Sequence, residues 1–336
     1  MNMKTITLAL CAATLLSCGQ KATSDNAAAQ VAPVQAEASV SATPTFNADS
    51  AYTYVEKQVL FGPRVPNTAS HKACGDYLAH ELRRFGAKVY EQEAVLTAYD
   101  NTGLESRNII GAFNPDSQKR ILLCAHWDSR PYADHDPSSG NHRKAIDGAD
   151  DGASGVGVLL EIARQIGQND PGIGIDIIFF DAEDYGIPEF VKDFKPNTWC
   201  LGSQFWAKRP HVPNYQAEFG ILLDMVGSKN ATFFKEQQST RYAARYVEMV
   251  WSAARNLGYG KFFINADGGA VIDDHQYVTS GTNIPCLDII NYDPESEKGF
   301  ASYWHTMDDT MKNIDKETLK AVGQTVLEVI YNKSNK

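Results

Sequence analysis

Short, dense apolar runs alternate along this chain with stretches whose apolar residues recur every three or four positions, and the two kinds of segment take turns from about residue 51 onward. Residues 51–62, closed by Pro63, and residues 70–85, closed by Gly86, read as two helices, with Leu78, Leu82 and Phe85 on one face of the second. Residues 88–99 alternate loosely and residues 107–113 are apolar, which predicts two neighbouring strands. RILLCAHW (120–127) predicts a buried strand that carries His126 and Asp128 to its end. Residues 152–166 place Val156, Leu159, Leu160 and Ala163 on one helical face, directly after Asp151. GIDIIFF (174–180) is the next buried strand and runs out into Asp181-Ala182-Glu183-Asp184. Strand, helix and strand in that order make a βαβ unit, so the sheet should be largely parallel at its centre. FGILLDMV (219–226) is a further strand with Asp224 inside it, 240–257 a helix, 284–290 a strand and 316–331 a closing helix. The expected fold is one α/β domain over residues 49–336: a central, mostly parallel mixed sheet flanked by helices. Two long loops, 131–146 and 185–201, should hang beside the strand ends. Phe190, Phe194 and Trp199 in the second suggest walls of a substrate pocket.

The first fifty residues break this pattern. Lys4, the apolar stretch 6–16 and Leu15-Leu16-Ser17-Cys18 form an export signal, too short to span a membrane. A buried N-terminal segment is the plainer alternative. The Leu-Leu-Ser-Cys ending resembles a bacterial lipobox, which would remove residues 1–17, Cys11 with them, and leave Cys18 as a lipidated first residue. Residues 18–48, rich in Ala, Ser, Thr, Gln and Pro, cannot bury enough apolar surface to fold and read as a flexible tether. The expected place is the cell envelope, held to the bilayer by lipid. No acidic cluster follows Cys18, so the periplasmic face is expected.

The formal net charge is −10, without a basic block or interleaved arginines and aromatics, which argues against nucleic-acid binding. Cys74, Cys124, Cys200 and Cys286 remain after Cys18, an even number that permits disulfides in an exported protein. Cys124 and Cys286 lie in apolar runs where a buried thiol is the ordinary outcome, and no bridge to Cys124 is expected. None of the cysteines has metal-site spacing.

Three groups carry candidate chemistry: Asp150-Asp151, Glu183-Asp184 and His305, each at or near the end of an apolar segment, where an α/β sheet gathers side chains into a crevice. Carboxylates with an imidazole suit zinc. Each has a plainer reading. Asp151 sits where a helix N-cap belongs, Glu183 and Asp184 suit a solvated loop, and His305 suits the surface. Successive residues leaving a strand point different ways, so one of the 183–184 pair can ligate while the other faces substrate. Asp308 or Asp309 is placed to receive the second N–H of His305, or simply to shape the turn. Asp224, in so apolar a strand, must be paired or hydrogen-bonded.

AHWDS, GADDGASGV, FFDAED, LLDMVG and YWHTMDDT occur in an order that resembles the zinc-dependent aminopeptidases of the M28 type and the related glutaminyl cyclases, over everything from about residue 50 to the end. The chain is most similar to the cyclases, which convert an N-terminal glutamine to pyroglutamate and release ammonia. The resemblance implies one zinc on Asp151, Asp184 and His305, Glu183 as acid–base, and Asp224 as a second essential acid linked by hydrogen bonds to Asp274. Trp304 is typical of the cyclases, where the peptidases more often carry tyrosine. Asp184 departs from the animal cyclases, which have glutamate there. Trp304, with Trp199 and Tyr185 or Phe190, would cage one glutamine side chain, while Trp127 either helps or packs behind the sheet. The implied partners are peptides or proteins with N-terminal glutamine, and the catalytic domain is expected to be monomeric. The alternative is an aminopeptidase with two zinc ions, in which His126 and Asp128 help to bind and orient a second ion together with Asp151 and Asp224, Asp151 being the bridge. A binding-only protein of this fold would lack ligands, and none is missing.

Overall fold

The computed structural model describes residues 42–193 and 195–334. The signal segment, Cys18, most of the tether and Phe194 lie outside the described residues. The end of the expected tether is already part of the domain. Phe46 is buried in the core, and its amide donates to Gln324 Oε1 at 2.9 Å.

Helices α1 (Ala48–Val59) and α2 (Ala69–Arg84) precede a hairpin of β1 (Lys88–Thr97) and β2 (Gly103–Phe113). Then come β3 (Arg120–His126), α3 (Ala153–Gln168), β4 (Gly174–Phe180), α4 (Leu201–Lys208), β5 (Gly220–Asp224) and β6 (Phe233–Lys235). The chain closes with α5 (Gln237–Asn256), β7 (Phe263–Asp267), α6 (Asp274–Thr282), β8 (Cys286–Ile290) and α7 (Lys316–Ser334). Helix α1 starts at Ala48 rather than residue 51 because Asn47 Oδ1 accepts the amide of Ser50 at 3.0 Å. Helix α5 starts at Gln237 because the Glu236 carboxylate accepts the amides of Gln238 and Ser239.

The main sheet has six strands in the order β1-β2-β4-β3-β5-β8. Strands β4, β3, β5 and β8 run parallel, and β2 joins β4 antiparallel, as does β1 to β2. β6 and β7 pair as a small separate sheet. Every residue of β3, β4, β5 and β8 is buried, as a sheet covered on both faces requires. Ile121, Leu123 and Ala125 join the core cluster that includes α1, α3, α5 and α7. Leu122 and Cys124 join Trp206 of α4 and Val278 of α6 in a second cluster. Helix α3 lies so close to β5 that a Cβ at Gly155 would stand 2.2 Å from the Leu223 carbonyl oxygen.

From β3 the chain goes to β4 on one side and, after α4, to β5 on the other. The reversal leaves a crevice at the carboxyl ends of the parallel strands, the usual place for ligands in such sheets. His126 ends β3, Asp181 follows β4 and Asp224 ends β5 at that edge. Cys74, Cys124, Cys200 and Cys286 are all buried free thiols, so no bridge forms at Cys124 or at the three cysteines the sequence left open.

Candidate active site

Asp151 leads into α3 through Gly152, whose φ of +93° takes the chain close beside His126. The Asp309 carboxylate accepts the amides of Asp150 and Asp151 at 2.8 and 3.1 Å. Asp150 is spent on structure, accepting from Gly227 N and from the Tyr303 hydroxyl, each at 2.8 Å. Asp151 does not cap α3, which begins after Gly152 without a side-chain cap. It turns instead toward two histidines. Its Oδ1 is 3.0 Å from His126 Nε2, and its Oδ2 is 3.4 Å from His305 Nε2.

Asp184 Oδ1 lies 3.3 Å from the same His305 nitrogen. Asp151 Oδ2 and Asp184 Oδ2 are buried without a hydrogen-bond partner. Buried carboxylate oxygens rarely stay so unless something positive belongs between them. Around a tetrahedral zinc with bonds near 2.0–2.2 Å, neighbouring ligand atoms stand roughly 3.3 Å apart. The separations between His305 and the two carboxylates fit that spacing, and the donor set suits the ion.

A second triad adjoins the first through Asp151: His126, Asp151 and Asp224. His126 Nε2 sits 3.0 Å from Asp151 Oδ1 and 3.2 Å from Asp224 Oδ1, so these oxygens already have a partner. Burial opposes charge on His126, but Asp128, Asp151 and Asp224 outweigh it and hold the imidazole well above its ordinary pKa. Asp128 accepts the amides of Glu183 and Asp184, both at 3.1 Å, and lies 3.5 Å from His126 Nδ1. It shapes the loop that carries Glu183 and Asp184, and its oxygens are spent on that task.

Ala182, at φ +52°, turns the chain so that Glu183 faces the cavity beside Asp184. Burial raises the Glu183 carboxyl well above the usual range, His126 opposes this, and Asp184 and Asp273 add to it. The Cys200 thiol donates to Glu183 Oε1 at 3.1 Å, a contact that sequence reading missed because a thiol in a loop carries no motif.

The acid beside Asp224 is Asp273, not Asp274. Asp273 is the extended N-cap of α6 and lines the cavity with Glu183 and Asp224, whereas Asp274 starts the helix, is fully buried and does not line the cavity. Burial and then the Asp224 charge raise Asp273 to about 7. Asp224 is raised to about 6, by burial first, with His126 opposing.

Other expectations also change. The partner facing His305 Nδ1 is Asp134 at 3.6 Å, because Asp309 is engaged by the 150–151 backbone. Tyr185 packs against Tyr132 and does not line the cavity, nor does Phe190, which meets Tyr132 edge-on. Trp127 is fully buried behind the sheet, stacked on His71. Trp304 and Trp199 lie on the cavity wall, and both stack on His305. Phe300, Tyr292, Val271 and Ile272 complete a pocket of about 310 Å³. Arg130, which the sequence reading missed, is fully buried. It grips Asp134 through two 2.7 Å bonds, donates to the Asp184 carbonyl at 3.0 Å and lies 4.5 Å from the Trp199 ring centre. Its signal was its place, two residues beyond Asp128 on the same strand exit.

Residues 108–330 match peptidase family M28. The chain belongs to that family. Among solved structures, one described as a Zn-dependent exopeptidase from Parabacteroides distasonis is 78% identical, with 87% of this chain and 100% of that one aligned at a TM-score of 0.86. A glutaminyl cyclase from Tannerella forsythia is 72% identical over 86% of this chain and 99% of its own, at a TM-score of 0.85. The glutaminyl-peptide cyclotransferase of Bos taurus is 25% identical over 301 residues, covering 80% of this chain and 79% of that protein.

Proposed function

We propose that this protein is a glutaminyl-peptide cyclotransferase, converting the N-terminal glutamine of peptides or proteins to pyroglutamate with release of ammonia. The observation that carries the reading is the small aromatic pocket, which sets three buried acids, Glu183, Asp224 and Asp273, beside the unpartnered oxygens of Asp151 and Asp184. Its aromatic walls suit the stem of one glutamine side chain, with the acids placed for the amide and the amine. The 72% identity to the Tannerella glutaminyl cyclase supports it.

Asp151, Asp184 and His305 would hold one zinc, which when bound supplies a Lewis-acid charge for the γ-carbonyl oxygen. Trp304 and Trp199 hold the glutamine stem and keep water out. Folding the side chain back brings the α-amine onto its own γ-carbon, so the nucleophile needs only a near-attack pose. Glu183 takes the proton that the amine loses as the new C–N bond forms. It then gives a proton to the γ-nitrogen as the old C–N bond breaks and ammonia leaves. Asp224 and Asp273, as a close acid pair sharing protons, hold the amide nitrogen in place.

The second triad at His126, and the relative described as a Zn-dependent exopeptidase, favour the other reading, an aminopeptidase with two ions. The oxygens facing His126 already have a partner in that imidazole, which supports a single ion. For location, the 1–17 leader ending before Cys18 supports export and lipid anchoring through Cys18 on the periplasmic face, which the mass of the mature N-terminal peptide tests.

The deciding experiment incubates the purified protein with Gln-Xaa and Leu-Xaa dipeptides. The cyclase reading requires ammonia and a product lighter by one ammonia from Gln-Xaa, with neither peptide bond cut. Free leucine, with no ammonia from Gln-Xaa, would sink it.

A further inference from the structure

A second, wider cleft of about 640 Å³ adjoins the active-site pocket. The two share Ile272 as a common wall, and the segment leading into α4 serves both: Trp199 faces the pocket and Asn197 the cleft. Tyr242 of α5 and Tyr277 of α6 also line the cleft. Ile272 keeps 66% of its surface exposed and Tyr242 keeps 49%, among the few large apolar side chains so exposed in the described residues. Two of them facing one cleft, next to a catalytic pocket, mark a surface made to be covered.

The chemistry of the lining narrows what covers it. No charged side chain lines the cleft, although the chain is strongly acidic overall and the neighbouring pocket holds several acids. Gln276, Ser280 and Asn283 offer amides and a hydroxyl, groups that pair with peptide N–H and C=O. Ile272 and Tyr242 offer apolar area. A glutamine side chain held between Trp304 and Trp199 must send the rest of its peptide out over a rim. Trp304, Phe300 and Lys298 line the pocket and not the cleft, whereas Ile272 lines both, so a peptide leaving past Ile272 meets the cleft.

We propose that this cleft is a subsite for the two residues that follow the N-terminal glutamine, with an apolar or aromatic side chain of the substrate seated between Ile272 and Tyr242. The assignment rests on the cyclase reading and extends it to substrate choice. The occupant is an uncharged, apolar peptide segment, matched to the uncharged lining of a cleft that shares Ile272 with the catalytic pocket.

The test compares ammonia release from Gln-Gly-Gly-Gly, Gln-Phe-Gly-Gly and Gln-Gly-Phe-Gly by the wild-type protein. One phenylalanine peptide should exceed the all-glycine peptide about tenfold in kcat/KM, entering through KM, a difference of about 1.4 kcal/mol. Tyr242→Ser and Ile272→Ser should each bring that ratio down to about two, and Tyr242→Phe should preserve it, because it keeps the apolar ring. A wild-type ratio near one, or a ratio unmoved in Tyr242→Ser, would overturn the subsite while ammonia release left the cyclase reading standing. Absence of ammonia from every glutamine peptide would overturn both.

Discussion

Replacing Asp128 by asparagine separates a residue that positions the site from one that binds metal. The Asp128 carboxylate holds the amides of Glu183 and Asp184 at 3.1 Å each, inside a fully buried setting. Asparagine keeps one acceptor oxygen and turns an NH₂ toward the other amide, so one charge-assisted bond goes and one buried N–H is stranded. A hydrogen bond to a charged group contributes about 1.5–3 kcal/mol, and a stranded buried donor costs about as much, so roughly 3 kcal/mol is the expected loss. For a domain of this size that lowers Tm by roughly 5–10 °C. The loss should appear in metal-free protein, because the bonds run to backbone and need no ion. Freeing the Asp184 backbone should also weaken zinc binding by about 10–100-fold, measured by chelator competition. Asp308→Asn, an exposed neighbour of the site, should change neither quantity. Weaker metal binding with an unchanged metal-free Tm would make Asp128 a ligand, and wild-type values for both would refute the positioning argument outright.

Glu183→Gln should keep the zinc and lose at least about 100-fold in turnover, whereas His305→Ala should lose both, and loss of metal in the Glu183 variant would exchange the roles of neighbours. Elemental analysis of dialysed protein should return about one zinc per chain, as a site with three protein ligands and one open position predicts, and a stable second equivalent would assign the His126 triad to a second ion. Burial raises the Asp134 carboxyl, yet the Arg130 pair outweighs it and holds Asp134 at about 2. Its stability is therefore present above about pH 4 and lost as pH falls through 2, worth about 2 kcal/mol. Urea midpoints between pH 5 and pH 2 should fall more steeply for wild type than for Asp134→Asn, and equal slopes would contradict this.

The centre of the sheet was legible because burial on both faces leaves little freedom. RILLCAHW and GIDIIFF are apolar but for His126 and the paired Arg120 and Asp176, and the helix between them repeats its apolar face, so β3, α3 and β4 fall where the pattern says. Helices α4 and α6 were not legible. They are short, and LGSQFWAK and DHQYVTSGT show no sustained apolar face. They hold by close approach instead: a Cβ at Gly202 would stand 2.1 Å from the Asp181 carbonyl oxygen, and one at Gly281 would stand 2.6 Å from Ala207 Cβ. Such contacts are long-range and leave no period in the sequence. The strands β6 and β7 are brief and form a two-stranded sheet apart from the main one, beyond what alternation resolves.

At the site, residue types were legible and side-chain directions were not. Pattern reading assumes a chain that alternates or winds regularly, and the active-site turns do neither. Among the described residues, every non-glycine position with positive φ is an asparagine except Ala182, Cys200, Met225 and His305. Those four stand immediately before Glu183, at the thiol that meets Glu183, immediately after Asp224, and at the proposed ligand itself. Each costs on the order of 1–3 kcal/mol unless its surroundings hold it. The surroundings do: Asp128 grips the amides after Ala182, Cys200 is tied to Glu183 through both its thiol and its amide, and Trp304 and Trp199 stack on His305. A turn of that kind redirects the next side chain, which is why Glu183 and Asp184 take separate tasks although they are adjacent. It also shows why a motif names the right short segment but leaves the choice between neighbours open, as with Asp273 and Asp274. The local rules fail here because function needs directions that regular backbone does not supply, and the rest of the fold carries the strain.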